Sequence, residues 1–351
     1  MEELLKEKQY LLDRLKYKLL SKEYSLHALA QDLNVSELEV MGFVRILKNG
    51  GENINIVKKS DGIYIEDFGD NTINNHNTKT IINDQEELKI LLISDTRLCS
   101  KFEQISILNN IYNIANEMGV KIVLHMGDIT EGIYMGKYRI YNQGLIHHNP
   151  DTQALYVKNN YPYIKGMTTY FITGEHDLSF LKTKSKEDVG ENIANLREDL
   201  VYLGQKNCMI YLQDSDGHKP TTIDMRHPEG IIPYTISYKP QKIVDAMRSE
   251  ERPDILNFGH FLVQDTFMHH DVLVNQVPSV TATTPEMVDR GNNNIVGATI
   301  LTLHFEKSKT KTKLVKVDRM FLNYREVLDD DYAKFKPLHD ENVKVLKRGR
   351  K

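Results

Sequence analysis

The stretch Leu91-Leu92-Ile93-Ser94-Asp95-Thr96-Arg97-Leu98 decides how the rest of the chain is read. An apolar run of strand length ends abruptly in a carboxylate. The same design returns at Ile122-Val123-Leu124-His125-Met126-Gly127-Asp128 and at Tyr170-Phe171-Ile172-Thr173-Gly174-Glu175-His176-Asp177. It returns again at Met225-Arg226-His227-Pro228 and at Ile255-Leu256-Asn257-Phe258-Gly259-His260-Phe261-Leu262. Each piece delivers a carboxylate or an imidazole where a strand gives way to a loop. Such ends can converge in one crevice. Asp and His together suit manganese, iron or zinc, and a glycine beside the ligand lets backbone and substrate approach closely. One piece alone is ordinary, because a loop residue or a helix cap accounts for it. All of them in this order are specific. From Leu88 onward, short apolar strands alternate with amphipathic helices, the pattern of a layered α/β domain.

In order, these pieces resemble the D-x-H, GD, GNH, H and GH-x-H motifs of calcineurin-like metallophosphoesterases. The resemblance covers essentially all of residues 88–325. The intervening stretches Lys137 to Pro162, Glu191 to Gln205 and Tyr234 to Arg252 resemble a phage- or prophage-type subgroup that carries a winged helix in front. The resemblance implies a mixed α/β (α+β) fold: a four-layer αββα metallophosphoesterase sandwich with its site at the strand ends. It also implies hydrolysis of phosphate mono- or diesters by a water bridging two metal ions.

Carried over residue by residue, the resemblance makes Asp95 the first-motif aspartate and Asp128 the carboxylate shared by both metals. His227 and His260 match ligands of the second metal. His176 matches the histidine that contacts phosphate and helps protonate the leaving group. Three positions depart from the pattern. Arg97 stands where the first motif wants His, Glu175 where the third wants Asn, and Leu262 where the fifth wants its second His. Arg97 and Leu262 replace two ligands of the same metal. A guanidinium keeps its proton and cannot ligate. The first metal site is therefore expected to be lost, with Arg97 as a substitute cation paired to Asp95 or Glu175. The second keeps Asp128, His227 and His260, and Glu175 can ligate as well as Asn. One manganese, iron or zinc ion is expected there and a second ion is not. With one divalent ion the site comes out near neutral, so phosphate binding and water activation are both expected to weaken. A one-metal phosphodiesterase or nuclease, a metal-binding but inactive domain and a metal-free scaffold all stay open. So do regulatory, DNA-binding and structural roles in a phage or mobile element.

In front of this domain, Ser25 can cap a short helix running through Asp32, with Leu26, Leu29 and Leu33 facing inward. Ser36 and Glu39 form a capping box for a helix that runs to about Lys48 and stops at Gly50-Gly51. Ile54-Ile56 and Ile63-Ile65 alternate about Ser60-Asp61-Gly62, which predicts a hairpin. With a first helix over Glu2 to Leu20, this order resembles a winged helix-turn-helix. Nucleic acid is one partner it suggests; a protein partner or self-association is the other. Glu37 and Glu39 at the start of the second of these helices oppose phosphate, while Lys58 and Lys59 on the wing are the best phosphate contacts. Acidic and basic residues are about equal in this unit, so charge does not decide.

The expected boundaries are 1–68 for the winged helix, 69–86 for an Asn-rich linker, 87–330 for the phosphoesterase domain and 331–351 for a basic tail ending Lys-Arg-Gly-Arg-Lys. The chain has 351 residues and a formal net charge of −4, an ordinary globular balance. No apolar run is long enough to span a bilayer, which argues against a membrane partner. The start lacks a secretory leader, and Cys99 and Cys208 read as lone reduced thiols. The expected location is the cytoplasm of a bacterium or phage-infected host. Other residues carry two readings each. His125 reads as a packed core residue. His269-His270 reads as a solvated hairpin tip or substitute ligands, and His147-His148 as part of a lid. Tyr134, Tyr138, Tyr141, Tyr161 and Tyr163, interleaved with Lys137 and Arg139, read as packing of an insert or as base-stacking groups. The stretch from Thr281 to Asn293 reads as a loop returning across the site before a final strand, Val296 to Phe305.

Overall fold

The computed structural model describes residues 11, 15, 23–49, 54–59, 62–67, 77–183, 186–230, 232–292, 294–308 and 311–327. The chain divides into two compact units, Met1–Asn75 and His76–Lys351.

In the first unit, strand β1 (Glu23–Ser25) leads into helices α1 (Leu26–Leu33) and α2 (Glu37–Asn49) and a hairpin of β2 (Ile54–Lys59) and β3 (Gly62–Asp67). The three strands pair antiparallel in the order β1-β3-β2. Ser25 Oγ accepts the Ala28 amide at 3.1 Å and starts α1. The turn after α1 opens at Asn34, whose left-handed backbone (φ 54°) suits asparagine. Ser36 and Glu39 form the expected capping box: Ser36 Oγ accepts the Glu39 amide at 3.2 Å, and Glu39 Oε2 accepts the Ser36 amide at 2.8 Å. Leu26, Leu29 and Leu33 face inward and pack with Leu15, Val40, Phe43 and Val44. Of the expected first helix only Leu11 and Leu15 are described, both helical. Ser60 and Asp61 lie outside the described residues, as do the side chains of Lys58 and Lys59.

The second unit is built on two six-stranded sheets. The first contains β5 (Glu87–Ile93), β6 (Ile122–His125), β7 (Thr168–Thr173) and β8 (Leu200–Gln205), all parallel, with β14 (Val296–Ser308) antiparallel to β5 and β15 (Lys311–Tyr324) antiparallel to β14, in the order β15-β14-β5-β6-β7-β8. The second runs β12 (Asp265–His269), β13 (Val272–Gln276), β11 (Ile255–Phe258), β10 (Thr221–Arg226), β9 (Asn207–Gln213) and β4 (Asn77–Ile82). Strand β5 is covered on both faces, which is why it reads as a near-continuous apolar run. Its residues Ile90 and Leu92 point inward with Leu124 and Ile172, and meet Cys208, Ile210, Ile223, Met225 and Ile255 of the other sheet. Its residues Leu91 and Ile93 point outward, against Ile105, Leu108 and Ile111 of α3 (Ile105–Glu117). Helices α4 (Pro150–Asn160) and α5 (Val189–Leu196) share that outer layer. On the far side, Val244 of α6 (Tyr238–Asp245) covers Leu256, Phe258, Val272 and Val274. The layer order is thus α, β, β, α, as expected.

Three local differences from the sequence reading are instructive. Residues 77–82 of the stretch read as linker form β4, an outermost strand parallel to β9 with mostly exposed side chains. Such a strand carries almost no apolar signal. The expected final strand extends to Ser308 and is followed by β15, paired with it along nearly its whole length. The loop expected over Thr281 to Asn293 contains helix α7 (Pro285–Arg290), capped by Thr284. The tail 331–351 lies outside the described residues. Among the described residues no helix is long and apolar enough to cross a membrane. Cys99 and Cys208 are both buried and unpaired to any other thiol.

Candidate metal centre

The parallel strands β5, β6 and β7 end side by side, as do β10 and β11. Their following loops are stitched together by main-chain bonds. The Asp95 amide donates to Gly127 O at 3.0 Å and the Arg97 amide to Asp128 O at 3.0 Å. The His260 amide donates to Asp95 Oδ2 at 3.0 Å and joins the second sheet to the first. Five residues here hold left-handed backbone: Asp95 (φ 48°), Arg97 (42°), Asp128 (55°), His260 (72°) and Leu262 (60°). Each such residue costs about 1 kcal/mol or more and persists only where its surroundings over-determine it. Gly174 makes room for the convergence: a Cβ there would lie 2.3 Å from Asp128 Oδ1 and 2.7 Å from His227 Nε2.

Asp95, Asp128 and His227 offer ligand atoms within 4.8 Å of one another, all three residues buried. His227 Nδ1 donates to the Met126 carbonyl at 2.6 Å, which aims Nε2 at the centre, where it carries either a proton or a metal ion. That Nε2 faces Asp128 Oδ2 at 3.2 Å without the alignment of a hydrogen bond. His260 repeats the arrangement with its nitrogens exchanged. Its Nε2 donates to Gly230 O at 2.7 Å, and its Nδ1 faces Glu175 Oε1 at 3.7 Å. Asp128 Oδ2, His227 Nε2 and His260 Nδ1 are therefore buried polar atoms without hydrogen-bond partners. Burial opposes protonation of His227, but the Asp128 carboxylate outweighs it and holds the imidazole pKa up at about 10. The pocket's field favours positive charge at that spot.

Arg97 fills the other half. Its guanidinium is buried, with Nη2 at 3.4 Å from Asp95 Oδ1 and 3.7 Å from Asp128 Oδ2. Its Nη1 lies 3.9 Å from Glu286 Oε2, contributed by α7. Burial works against the charge, but Glu131, Asp95 and Asp128 outweigh it and hold the guanidinium pKa above its usual value. Of the two partners expected for Arg97, Asp95 is the one it meets; Glu175 faces His260 instead. Leu262 is buried, and offers no ligand atom.

His176 lines a cleft of about 760 Å³ over this centre, together with Arg97, Tyr134, Glu175, His260 and Glu286. Its amide donates to Asp128 Oδ1 at 2.8 Å, and its Nδ1 to Glu131 O at 3.0 Å. Glu131 and Glu286 were not singled out from sequence, nor was the role of Tyr134. The Tyr134 hydroxyl donates to Glu131 Oε1 and lies 3.3 Å from Glu286 Oε2, closing an acidic ring around Arg97. Asp177 ends the third piece and carries no ligand role in the sequence pattern. It accepts from the amides of Ile129 (3.1 Å), Thr130 (2.8 Å) and Gly174 (3.0 Å) and from Thr130 Oγ1 (2.8 Å), so it braces two site loops against each other.

The remaining histidines lie elsewhere. His125 is buried, its Nε2 3.0 Å from Thr96 Oγ1, and burial pushes its pKa down to about 3. His147 packs its ring on Tyr156, and His148 reaches the Asn142 carbonyl. His269 and His270 both contact Asp245 and are no substitute ligands for the cleft. Within the tyrosine cluster, Tyr138 lines the cleft and carries Arg290 over its ring at 4.9 Å, while Tyr161 is buried against Tyr112.

The αββα layers with the site at the strand ends decide the architecture. This is a four-layer αββα sandwich. No family model matches the chain, and none of the curated proteins matches it. Among solved structures, it is similar to an archaeal phosphodiesterase at 14% identity, covering 67% of this chain and 100% of that one with a TM-score of 0.35. Vacuolar Protein Sorting 29 from Cryptosporidium parvum matches at 13% identity, 68% of this chain, 100% of that one and a TM-score of 0.36. Vps29 from Entamoeba histolytica, solved in complex with zinc, matches at 13% identity, 67% of this chain, 99% of that one and a TM-score of 0.32.

Within this sandwich the buried side chains of Asp95, Asp128 and His227 offer a donor set that could hold a divalent ion. Two imidazole nitrogens and a carboxylate oxygen, all buried and unpartnered, suit manganese, iron or zinc. On the Asp95–Leu262 side a guanidinium and a leucine occupy the ground instead.

Proposed function

We propose that the chain is a metallophosphoesterase-superfamily protein that works with one divalent ion and one guanidinium, where the family pattern has two ions. The observation that carries this is the burial of Arg97 against Asp95 and Asp128, at 3.4 and 3.7 Å. The ion would be held by Asp128 Oδ2, His227 Nε2 and His260 Nδ1, with Glu175 and Asp95 at its margin. When bound, such an ion polarises a phosphoryl oxygen and lowers the pKa of a water. Arg97 supplies fixed positive charge to the same phosphate. His176, with Nδ1 committed to the Glu131 carbonyl, has Nε2 left to donate to a leaving oxygen. Without a second ion to clamp the transition state, phosphodiesters are bound but hydrolysed slowly or not at all. The domain is then a phosphate-ester-binding platform, with residual phosphodiesterase or nuclease activity at most.

Metal content and turnover of bis-p-nitrophenyl phosphate in manganese test this directly. About one ion per chain is expected in the natural protein and about two in the variant carrying both Arg97→His and Leu262→His, since that variant restores a second set of donors. Turnover should rise with the second ion. Two ions in the natural protein, with brisk hydrolysis abolished by His176→Ala, would sink the proposal.

The front unit is read as a winged helix that brings DNA or a protein partner to the platform. Its helix–turn–helix–hairpin order supports the reading. Glu37, held by His27 at 3.0 Å, places acid at the start of α2. The wing, with Lys58 and Lys59, is therefore the proposed phosphate contact. Replacing both lysines with alanine should flatten the log–log salt dependence of DNA binding by about 2. An unchanged slope would favour a protein partner. The setting proposed is the cytoplasm of a bacterium or a phage-infected host.

A further inference from the structure

The β12–β13 hairpin carries histidines that the cleft does not use. Its turn consists of His270 and Asp271, with φ of 48° and 64°. Two left-handed residues in succession make the tight hairpin turn that asparagine and glycine fill best. A histidine in the first position strains the turn, and it has a geometric result. Consecutive residues along a strand face opposite ways. Here His269 and His270 bring their rings together, with centroids 4.4 Å apart.

Both rings meet one oxygen of the last residue of α6. His269 Nε2 lies 2.7 Å and His270 Nε2 3.2 Å from Asp245 Oδ1. A carboxylate in the last turn of a helix faces the negative end of the helix dipole and calls for a cation. Lys242 of the same helix approaches only the other oxygen, Oδ2, at 4.0 Å.

The three donor atoms lie within 4.8 Å of one another. Tetrahedral ligands at the usual zinc distances sit roughly 3.3 Å from each other around the ion. The 2.7 and 3.2 Å separations lie just inside that spacing, so the side chains need open only slightly to admit an ion. The same separations suit protonated imidazoles bonded to the carboxylate, so an ion displaces at most one proton per ring. Side-chain exposures of 26%, 48% and 40% for His269, His270 and Asp245 leave an open approach, with room for water in the remaining coordination positions.

We infer that Asp245, His269 and His270 form a second, surface metal site for a borderline divalent ion such as zinc, nickel or copper, which fastens the end of α6 to the β12–β13 turn. Two imidazoles and one carboxylate select such ions over magnesium and calcium. The site shares no residue with the Asp128 centre and does not depend on it.

Titration calorimetry on the full chain with zinc chloride, and separately with magnesium chloride, tests the inference. His269→Ala with His270→Ala should remove one zinc equivalent, and His227→Ala should remove a different one. Asp245→Asn should weaken the surface equivalent at least tenfold. Zinc should raise the melting temperature of the natural chain more than that of the double variant, whose fold is checked by circular dichroism. Zinc stoichiometry and affinity unchanged in the double variant would overturn the site. So would magnesium binding as tightly as zinc.

Discussion

The two halves of the buried centre handle charge in opposite ways. On the Asp95 side, carboxylates from two loops and from helix α7 close around a guanidinium that belongs to the chain itself. On the His227 side, Asp128 Oδ2, His227 Nε2 and His260 Nδ1 are equally buried and have no hydrogen-bond partner. Unpartnered polar atoms in a protein interior are costly and rare. Arg97 Nε and Nη1 are unpartnered too, but that half carries its own cation and is closed, whereas the His227 side gathers two imidazole nitrogens and a carboxylate oxygen, donors for an added cation, and is open.

The closed half can be broken most severely through Arg97. Arg97→Ala takes the guanidinium from buried Asp95 and leaves Asp128 and Glu286 with only their other partners, His227 and Arg290. Unfolding in urea should show a loss of about 3–5 kcal/mol. A loss below about 1 kcal/mol would mean that the guanidinium is not what holds those carboxylates in place. The open half responds differently. His227→Ala removes one partner of Asp128 but leaves Arg97 at 3.7 Å from the same carboxylate, so stability should change less. Metal affinity, read by calorimetry, should fall by at least the ~10–100-fold that losing a supporting group already produces. Unaltered affinity would place the ion elsewhere. The smallest effect is expected at the brace between the loops. Asp177→Asn turns an acceptor into a donor facing amide N–H groups and should cost about 1–2 kcal/mol. Because Asp177 holds the loops after both β6 and β7, metal affinity should weaken with it. An effect on stability alone would limit Asp177 to packing.

The sequence carried the centre unevenly. Asp95, Asp128, His227 and His260 end apolar strands, so the change from strand to ligand marks them, and the structure brings them together. Arg97 was marked by its departure from an expected histidine. Glu131 and Glu286 carried no such mark. Each stands in a loop or a short helix, and its role comes from reaching Arg97 across more than a hundred residues of chain in the case of Glu286. Asp177 lay in plain view, but three of its four donors come from a neighbouring loop whose position only the folded sheet defines. The same limit explains β4. Its side chains are mostly exposed, so pairing with β9 makes it a strand and apolar periodicity does not. The front unit was easier, because the Ser25 cap and the Ser36–Glu39 box are local interactions written within four residues.

The left-handed backbone at Arg97 and Leu262 has one more consequence. Neither side chain prefers that conformation. Around Arg97 it is imposed from outside, by amides that bond across to the loop after β6 and by a carboxylate that takes the His260 amide. The trace at these points is set by its neighbours, so each position behaves as a socket. Whatever side chain is mounted there is delivered to the same place. The chemistry of such a centre can be rewritten one residue at a time, between metal ligand, fixed cation and inert filler, while the frame that aims it is left standing.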